Sequence, residues 1–303
     1  MSRPVNILLL GAGGQLGKVL TADLPTIGRI HALDRASLDI TNHHAVAEAV
    51  TDTQANIIVN AAAYTAVDKA EGEAKKAHAI NADAVANLAQ LAKTQGAWLI
   101  HYSSDYVFDG SKPTPYVEAD SPNPINIYGA SKLAGEQAIV NSGCRHLIFR
   151  TSWVIGKDGS SFAKTILRLA TEQYSLQVVS DQRGVPTSPS LISNITLDAI
   201  RAIATGQAWP AGLYHLTPSG TSNWHEIAQT LLEHAERAHI PLSARAKDVQ
   251  SITTADYPTA AKRPLNSQLD TQKLRAQLSF DLPHWQTDFL TVAGDIIKEW
   301  QTA

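Results

Sequence analysis

Short apolar stretches alternate with segments of helical periodicity through the first half of the chain. The apolar stretches are rich in branched residues and have the length of strands, at Val5–Leu10, Ile30–Leu33, Ile57–Asn60, Trp98–Ser103 and His146–Arg150. Apolar residues at helical spacing predict helices at Gln15–Leu24, His43–Val50, Val67–Thr94 and Ala130–Asn141. Strands that are apolar on both faces and separated by helices indicate an α/β fold with a doubly wound parallel sheet of the Rossmann type.

The second half of the chain has a looser pattern. Loops rich in glycine, serine and proline separate predicted helices at Phe162–Thr171, Leu191–Ala204 and Trp224–Ala238. A short apolar stretch at Leu213–Leu216 is expected to return to the main sheet. We therefore predict a second, smaller α/β domain. The larger domain spans residues 1–155 and is completed by parts of about 190–220, and the smaller one spans 156–189 and 221–303.

Composition narrows the functional classes. The chain has 303 residues, of which 44% are apolar and 17% charged, and its formal net charge is −3. This balance is typical of a soluble globular protein, and the lack of a basic block argues against a nucleic-acid partner. No apolar run approaches the ~20 residues of a membrane helix, and the first strand begins almost at once. We therefore expect a cytoplasmic location and no membrane contact.

Cysteine and histidine usage argues against a disulfide framework or a metal site. Cys144 is the one cysteine in the sequence, so no internal disulfide can form, and the expected role of this residue is that of a small buried side chain. The eleven histidines show no paired-ligand spacing, and the adjacent His43 and His44 point in different directions on a helix. We therefore predict no metal ligands.

A glycine-rich turn joins the first predicted strand to the first helix. Gly11, Gly14 and Gly17 lie in the sequence Gly-Ala-Gly-Gly-Gln-Leu-Gly. Glycine suits this turn because a Cβ atom would keep phosphates away from the backbone N–H groups, and the helix N terminus attracts negative charge. Asp34 ends the second strand near the ~20-residue offset expected of an acid that binds ribose. These features predict a bound nicotinamide dinucleotide.

Two adjacent side chains bear on the choice of cofactor. The Asp34 carboxylate would accept hydrogen bonds from a ribose and repel a 2′-phosphate, whereas the Arg35 guanidinium would attract that phosphate. We therefore expect both NADH and NADPH to be used. The small residues Ala61, Ala62 and Ala63 follow the third strand and would let the backbone approach the cofactor.

A hydroxyl, a phenol and an ammonium group predict carbonyl chemistry. Tyr128 and Lys132 stand four residues apart in a predicted helix, which places both side chains on one face. The ammonium is expected to lower the pKa of Tyr128 toward working pH, so that the phenol acts as a general acid. Ser104 follows the fourth predicted strand and would donate a hydrogen bond to the same carbonyl oxygen. The nicotinamide would supply hydride to the carbonyl carbon.

These segments resemble those of the extended short-chain dehydrogenase/reductases and, within them, the dTDP-4-dehydrorhamnose reductase family. The resemblance spans nearly the whole chain, and several of the matching segments are specific to that family. They are Gly11–Gly17, Leu38–Ile40, Asn60–Glu71, Asn81, Ser103–Gly110, Pro122–Lys132, Gly135, Glu136, Arg150–Trp153, Gly156, Asp181–Thr187, Arg263, Pro264, Ser267, Leu269 and Asp270.

The resemblance implies a reaction and a set of site residues. The expected reaction is the NADH- or NADPH-dependent reduction of the C4 keto group of dTDP-4-dehydro-β-L-rhamnose to dTDP-L-rhamnose, the last step of dTDP-rhamnose synthesis. The implied catalytic residues are Ser104, Tyr128 and Lys132. The implied cofactor contacts are Gly11, Gly14, Gln15, Leu16, Asp39, Ile40, Ala61, Ala62 and Ala63. We also expect Gly17, Tyr128 and Lys132 to contact the cofactor, with Lys132 reaching the nicotinamide ribose. The implied sugar-nucleotide contacts are Val67, Asp105, Tyr106 and Trp153, beside Ser104 and Tyr128.

The sequence departs from the family at one position and leaves one family feature unsupported. The family usually has threonine where this chain has Ser104, and since the hydroxyl survives we expect activity to survive. A structural Mg²⁺ joins subunits within the family, but this sequence shows no obvious acidic cluster for it, so we do not predict Mg²⁺. The expected partner is a small-molecule sugar nucleotide, and the expected assembly is a monomer or a homodimer.

Related activities are partly separable from the residues. Sugar-nucleotide dehydratases have an Asp-Glu pair after the hydroxyl residue, whereas Asp105 is followed by Tyr106, a base too weak for dehydration. Epimerisation, reduction of another nucleotide-linked 4-keto sugar, and a non-catalytic regulatory role on the same fold stay open as alternatives. Tyr106 and Trp153 would pack against a deoxysugar or within the core. Arg183 and Arg263 would bind a nucleotide diphosphate or form exposed salt bridges.

Overall fold

Eight strands and eleven α-helices make up the part of the chain that the structure describes, which is residues 5–159, 161–207 and 209–302 of a computed structural model. The strands are β1 Asn6–Leu10, β2 Arg29–Leu33, β3 Ile57–Asn60, β4 Trp98–Ser104, β5 Arg145–Thr151, β6 Leu176–Val179, β7 Gly212–His215 and β8 Val249–Ile252. The helices are α1 Gln15–Asp23, α2 His43–Thr53, α3 Val67–Ala70, α4 Ala74–His78, α5 Ala84–Gln95, α6 Ile127–Ser142, α7 Phe162–Glu172, α8 Pro189–Thr205, α9 Trp224–Arg237, α10 Gln272–Arg275 and α11 Trp285–Thr302.

Six of these strands form one parallel sheet in the order β2-β1-β3-β4-β5-β7. Within β1, Ile7 and Leu9 pack against a core that includes α1 and α8, whereas Leu8 and Leu10 pack against a core that includes α2 and α5. Helices therefore cover both faces, and the predicted α/β fold with a doubly wound sheet is confirmed. The five predicted strands of the first half differ from the observed ones by at most one residue at either end.

The register brings the carboxyl ends of the central strands to one edge of the sheet. Leu10 lies opposite both Leu33 and Asn60, and Asn60 lies opposite His101. The chain order reverses at β1, since β2 lies on one side of it and β3 on the other. Ligands of open parallel sheets bind beyond such strand ends, at the point of reversal. The topology therefore favours a binding site beside the turn after β1.

The predicted continuous helix over Val67–Thr94 is wrong. The chain instead forms α3, a break around Gly72, α4, a π-helical turn at Ala79–Asp83, and α5. Apolar periodicity continues across these breaks, which is why it could not reveal them. The buried Asn81 side chain in the π turn bonds the backbone N–H and C=O of Tyr64 and the hydroxyl of Ser131. The π turn therefore joins the segment after β3 to helix α6.

A smaller unit packs around an apolar core of its own, distinct from the two cores that flank the sheet. Strands β6 and β8, which the sequence analysis did not predict, pair in parallel. Apolar residues of α7, α9 and α11 pack together there, among them Leu167, Leu231 and Phe289. Helix α8 and strand β7 pack with the main sheet, with Ile195 and Tyr214 in its core. Among the described residues, no helix combines the length and apolar character that crossing a bilayer requires.

Helix α6 is held close to the sheet by glycine contacts and by a buried ion pair. A Cβ atom on Gly129 would lie 2.0 Å from the Tyr106 carbonyl oxygen, and one on Gly135 would lie 2.2 Å from that of Asn81. One turn after Lys132 in α6, the Glu136 carboxylate binds the Arg150 guanidinium of β5 through two hydrogen bonds, of 2.9 and 2.6 Å. These contacts fix α6 against β4 and β5.

We predict that Gly135→Ala destabilises the protein because its methyl group has no space beside the π turn. Overpacking of this kind typically lowers the free energy of unfolding by about 1–3 kcal/mol. Gly294→Ala is the matched control: it also lies inside a helix, but its nearest neighbour would be 3.6 Å from the new Cβ atom. That variant should be neutral or gain about 0.5–1 kcal/mol, since alanine favours helix. Urea unfolding measures both, and equal stabilities would contradict the close packing of α6.

Candidate active site

The glycine-rich turn after β1 is shaped for close approach. Gly11 has a φ of +82°, and a Cβ atom there would lie 2.5 Å from the Ala62 backbone nitrogen. A Cβ atom on Gly17 would lie 2.0 Å from the Gly11 carbonyl oxygen, so glycine lets α1 begin against the strand. Gly14 is the N-cap of α1, where the first N–H groups of the helix lack intrahelical partners. The turn therefore fits the diphosphate of a dinucleotide.

A cavity of about 590 Å³ lies beside this turn, at the carboxyl ends of β1, β2 and β3. It is lined by the predicted cofactor residues Gly11, Gly14, Asp34, Arg35, Asp39, Ile40, Ala61, Ala62 and Ala63. It is also lined by residues that were not predicted as cofactor contacts: Gly13, Ala36, Leu38, Thr41, Lys76, Ala79 and Ile80. Lys76 comes from α4, which reaches the cavity because the predicted long helix is broken, so no local signal pointed to it.

Five predicted cofactor residues are not in the wall of this cavity, within the described part of the chain: Gln15, Leu16 and Gly17 in α1, and Tyr128 and Lys132 in α6. The Gln15 side chain accepts a hydrogen bond of 2.9 Å from the Gly156 backbone nitrogen and so joins α1 to the segment after β5. Leu16 packs against the core beneath the turn. Gly17 acts through its close contact with Gly11. The observed contacts of the three α1 residues shape the turn that the cofactor would meet.

Charged groups alternate along the rim of the cavity. Hydrogen bonds from Ser37 and the Ala36 backbone to Oδ1 of Asp34 lower the pKa of that carboxyl. Hydrogen bonds from Thr41, with the nearby Arg35 charge, lower the pKa of Asp39. Both carboxyls are therefore ionised at neutral pH, with the exposed Arg35 guanidinium close by. This rim offers acceptors for ribose hydroxyls and a cation for a phosphate.

Ser104 and Tyr128 meet at the carboxyl end of β4. The Ser104 side chain lies close enough to the Tyr128 hydroxyl to lower the pKa of the phenol. Ser104 Oγ also accepts a hydrogen bond of 3.1 Å from the Tyr106 backbone nitrogen and donates one of 2.9 Å to Asp105 Oδ1. A serine hydroxyl has a single proton. Ser104 would therefore donate to a carbonyl oxygen only after turning its proton away from Asp105.

Lys132 lies one helical turn after Tyr128, with 2% of its surface exposed. Its Nζ atom donates a hydrogen bond of 2.6 Å to the Tyr102 carbonyl oxygen and lies 3.3 Å from Nε2 of His101. His101 was not among the predicted site residues. A histidine inside the apolar strand Trp98–Ser104 was the available signal, because a buried polar side chain needs a partner.

The expected lowering of the Tyr128 pKa by Lys132 is wrong for this arrangement. Part of the Tyr128 ring is exposed, yet desolvation of the hydroxyl raises its pKa to about 12, with the Ser104 hydrogen bond opposing and the Asp105 charge adding to this shift. Burial lowers the pKa of Lys132 to about 8, against the Glu136 carboxylate. At neutral pH the phenol is therefore protonated, as a general acid requires.

Of the other predicted sugar contacts, Tyr106 lies beside Tyr128. The Tyr106 ring meets the Tyr128 ring edge to face, with 5.7 Å between centroids. Arg263 Nη2 lies 2.7 Å from Asp68 Oδ2, at the start of the short helix that Val67 begins. Desolvation raises the pKa of Tyr106, and the charges of Asp105, Arg263 and Asp68 all act on it. The part of the site near Tyr128 thus contains Arg263, whose positive charge is partly balanced by the Asp68 carboxylate.

Trp153 and Arg183 lie toward the smaller unit. The Trp153 indole stacks on Trp224, with 4.0 Å between ring centroids, and its backbone φ is +44°. A Cβ atom on Gly184 would lie 2.7 Å from the Trp153 ring, so the indole lies directly over this backbone. Arg183 joins the loop around Leu265 through its backbone N–H, and the residue is exposed.

The single cysteine, Cys144, is buried, and the carboxyl groups of the site do not form a cluster. Cys144 is a free thiol with 6% of its surface exposed, and burial raises its pKa. Within residues 5–159, 161–207 and 209–302, no group of three or more histidine, cysteine or acidic side chains could hold a metal ion. Burial raises the pKa of Asp105 to about 6, with hydrogen bonds from Ser267 and Ser104 opposing the shift.

Comparison with known proteins places the whole chain in one family. The family model described as "RmlD substrate binding domain" matches residues 5–296. The dTDP-4-dehydrorhamnose reductase of Escherichia coli (strain K12) is 46% identical over 286 residues, covering 93% of this chain and 95% of that protein.

Solved structures agree with this placement. A crystal structure of dTDP-4-dehydrorhamnose reductase from Bacillus anthracis in complex with NADP has a TM-score of 0.87 and 35% identity, covering 97% of this chain and 100% of that one. The Bordetella bronchiseptica enzyme WbmG, solved with NAD and UDP, shares the fold at a TM-score of 0.80 but only 17% identity, covering 98% of this chain and 96% of that one. The chain belongs to the dTDP-4-dehydrorhamnose reductase family.

Proposed function

We propose that this protein reduces the C4 keto group of dTDP-4-dehydro-β-L-rhamnose to give dTDP-L-rhamnose, with NADH or NADPH as the reductant. The observation that carries the proposal is that the Ser104 hydroxyl lies close enough to the Tyr128 phenol to act on its pKa, with Lys132 one helical turn further along α6. These are the groups that protonate a carbonyl oxygen as hydride arrives. Family membership supports the choice of sugar nucleotide.

The residues beside the turn after β1 would hold the dinucleotide. The Gly11 backbone and the N terminus of α1 would bind the diphosphate, and Asp34 would bind the adenosine ribose. The structure of the relative from Bacillus anthracis contains NADP. In the present protein, Arg35 would bind the 2′-phosphate of NADPH. When bound, the reduced cofactor supplies the hydride that the keto carbon accepts.

Tyr128 supplies the proton in this proposal. Its hydroxyl is protonated at neutral pH and gives its proton to the C4 oxygen, which becomes the sugar hydroxyl, and the phenolate is reprotonated from solvent. Ser104 turns its proton from Asp105 to the same oxygen and stabilises the charge that develops there. A sugar hydroxyl would then replace Ser104 as the donor to Asp105. Lys132, one helical turn further along α6, would bind the nicotinamide ribose and so tie the cofactor to the proton donor.

The smaller unit would bind the sugar nucleotide. Residues 1–155 with parts of about 190–220 would form the cofactor domain, and 156–189 with 221–303 the substrate domain. Tyr106 would pack against the deoxysugar, with Val67 beside it, and Trp153 would form the opposite wall. We also propose a cytoplasmic location, where the nucleotide sugar is made, and a monomer or homodimer without nucleic-acid or membrane partners.

Tyr128→Phe should lower kcat by about 10²–10⁴-fold because it removes the proton donor. Cofactor affinity, measured by fluorescence titration, should stay nearly the same. Tyr174→Phe is the matched control, since Tyr174 is 85% exposed and should turn over normally. Loss of NADPH absorbance with the keto sugar is the readout. Normal turnover by Tyr128→Phe would refute its acid role, and an inactive wild type would favour the regulatory alternative.

The rate should fall at alkaline pH through Lys132. Burial lowers the pKa of this lysine to about 8, whereas the pKa of Tyr128 lies near 12. Since the reaction uses the protonated forms of both, kcat/KM for the sugar should be level up to about pH 8 and fall tenfold per pH unit above it. The Lys132→Arg variant keeps its positive charge at these pH values, so its kcat/KM should not show this fall at alkaline pH. A profile that is level through pH 9 in the wild type would contradict it.

Arg35→Ala should shift the cofactor preference toward NADH. The loss of a charge-assisted hydrogen bond to the 2′-phosphate should lower kcat/KM for NADPH by about 10–100-fold and leave that for NADH nearly unchanged. Arg201→Ala controls for net charge, because Arg201 is an exposed residue paired with Asp198 in α8. An equal loss with both cofactors would show that Arg35 does not contact the phosphate.

A further inference from the structure

A chain of buried polar groups runs beneath the site, from the cofactor side of β3 to Lys132. The three side chains involved are Asn60 on β3, His101 beside it on β4, and Lys132 on α6, with 1%, 0% and 2% of their surfaces exposed. Because buried polar groups need hydrogen-bond partners, the protons of these side chains must be matched to the acceptors around them.

The backbone determines how the Asn60 amide is oriented. The Ala62 backbone N–H donates to Asn60 Oδ1 at 3.1 Å, so the amide nitrogen of Asn60 faces His101 Nδ1, at 3.2 Å. An amide nitrogen is a donor, and Nδ1 must therefore be the accepting nitrogen of the imidazole. Burial and the Lys132 charge keep the pKa of His101 well below 6.5, so the ring is neutral. Its one proton then lies on Nε2.

This tautomer places a hydrogen-bond donor against Lys132. His101 Nε2 lies 3.3 Å from Lys132 Nζ, and Nζ also donates to the Tyr102 carbonyl at 2.6 Å. A neutral amine can accept the Nε2 proton, but an ammonium has only donors. The opposite tautomer would free Nε2 as an acceptor, yet it would set the Nδ1 proton against the Asn60 amide. With either tautomer of His101, the ammonium form of Lys132 leaves one pair of hydrogen-bond donors facing each other, which is unfavourable.

Four other groups act on the same charge or on its neighbour. Glu136, one turn further along α6, favours the ammonium form of Lys132, but Arg150 from β5 binds that carboxylate through two hydrogen bonds. Tyr128 lies one turn before Lys132, and Asp105, in the turn after β4, acts on Tyr128. Burial disfavours the ammonium form, and His101 contacts the Lys132 Nζ atom directly through its Nε2 atom.

We propose that His101, held as its Nε2–H tautomer by Asn60, is a positioning residue that destabilises the ammonium form of Lys132 and so sets the alkaline limit of the reaction. The activity part of this inference rests on the proposed function. The tautomer and the titration of Lys132 do not, since both are properties of the folded chain alone.

The tautomer is tested in the wild-type protein by ¹⁵N NMR of the histidine rings, with the His101 signals identified by their loss in His101→Gln. We expect protonated Nε2, unprotonated Nδ1 and no titration of the ring between about pH 5.5 and 9. An Nδ1–H tautomer, or an imidazolium that titrates in this range, would overturn the proposal.

The effect on Lys132 is tested with two variants. In His101→Gln the new amide oxygen can accept from Nζ, and in Asn60→Asp the carboxylate accepts from both Ala62 and Nδ1 and frees Nε2 as an acceptor. Both should move the alkaline limb of kcat/KM upward by about one pH unit. His215→Gln is the matched control: this histidine is also fully buried in the sheet, on β7, with Nδ1 against the Tyr116 carbonyl.

The control variant should keep the wild-type limb even if it loses stability. An unmoved limb in folded His101→Gln, or an equal shift in His215→Gln, would overturn the role of His101. If the wild type does not reduce the keto sugar, the proposed function fails by itself. The titration of Lys132, followed by ¹³C NMR of its Cε and identified with Lys132→Arg, then decides: an upward shift in His101→Gln supports the proposal, and no shift overturns it.

Discussion

The site depends on how closely helix α6 approaches strand β4. Gly129 and Gly135 leave no space for side chains between the helix and the backbone of Tyr106 and of the π turn. The Glu136–Arg150 pair then ties the same helix to β5. At this separation the Lys132 side chain donates to the Tyr102 carbonyl, and the Tyr128 hydroxyl lies close enough to Ser104 for that side chain to act on its pKa. A wider separation would leave the phenol and the serine without a shared acceptor.

The same close packing decides the protonation states. Removal from water favours neutral forms, so it raises the pKa of Tyr128 and lowers that of Lys132. Tyr128 therefore stays a proton donor, and Lys132 loses its positive charge more readily than an exposed lysine. This differs from the expectation that an adjacent ammonium would simply lower the pKa of the phenol. Lys132 instead directs its charge at a backbone carbonyl. The burial of α6 against the sheet therefore also keeps Tyr128 protonated at neutral pH, as a general acid must be.

The sequence predicted those parts of the fold that follow from local periodicity and glycine chemistry. The strands of the first half and the position of Gly11, Gly14 and Gly17 are examples, since each depends on residues close in the chain. The breaks within 67–94 were missed because the apolar pattern continues through the π turn. Strands β6 and β8 were missed because each is short and is stabilised by a partner about seventy residues away.

The candidate site shows the same division. Spacing alone placed Tyr128 and Lys132 on one helical face, and strand ends placed Ser104 nearby. His101, Lys76 and Asp68 were not predicted because their importance arises from contacts between distant elements. The competing demand of Asp105 for the Ser104 proton was equally invisible in the sequence, since it depends on the direction of one hydroxyl.

Tyr128 and Ser104 are proposed to converge on one keto oxygen. A crystal structure with NADPH and dTDP-L-rhamnose bound tests this convergence most directly. We expect the sugar O4 atom within about 2.6–3.2 Å of both the Tyr128 hydroxyl and Ser104 Oγ, with the sugar C4 atom facing the nicotinamide. A sugar bound with O4 outside hydrogen-bonding range of Tyr128, or turned away from the nicotinamide, would contradict it.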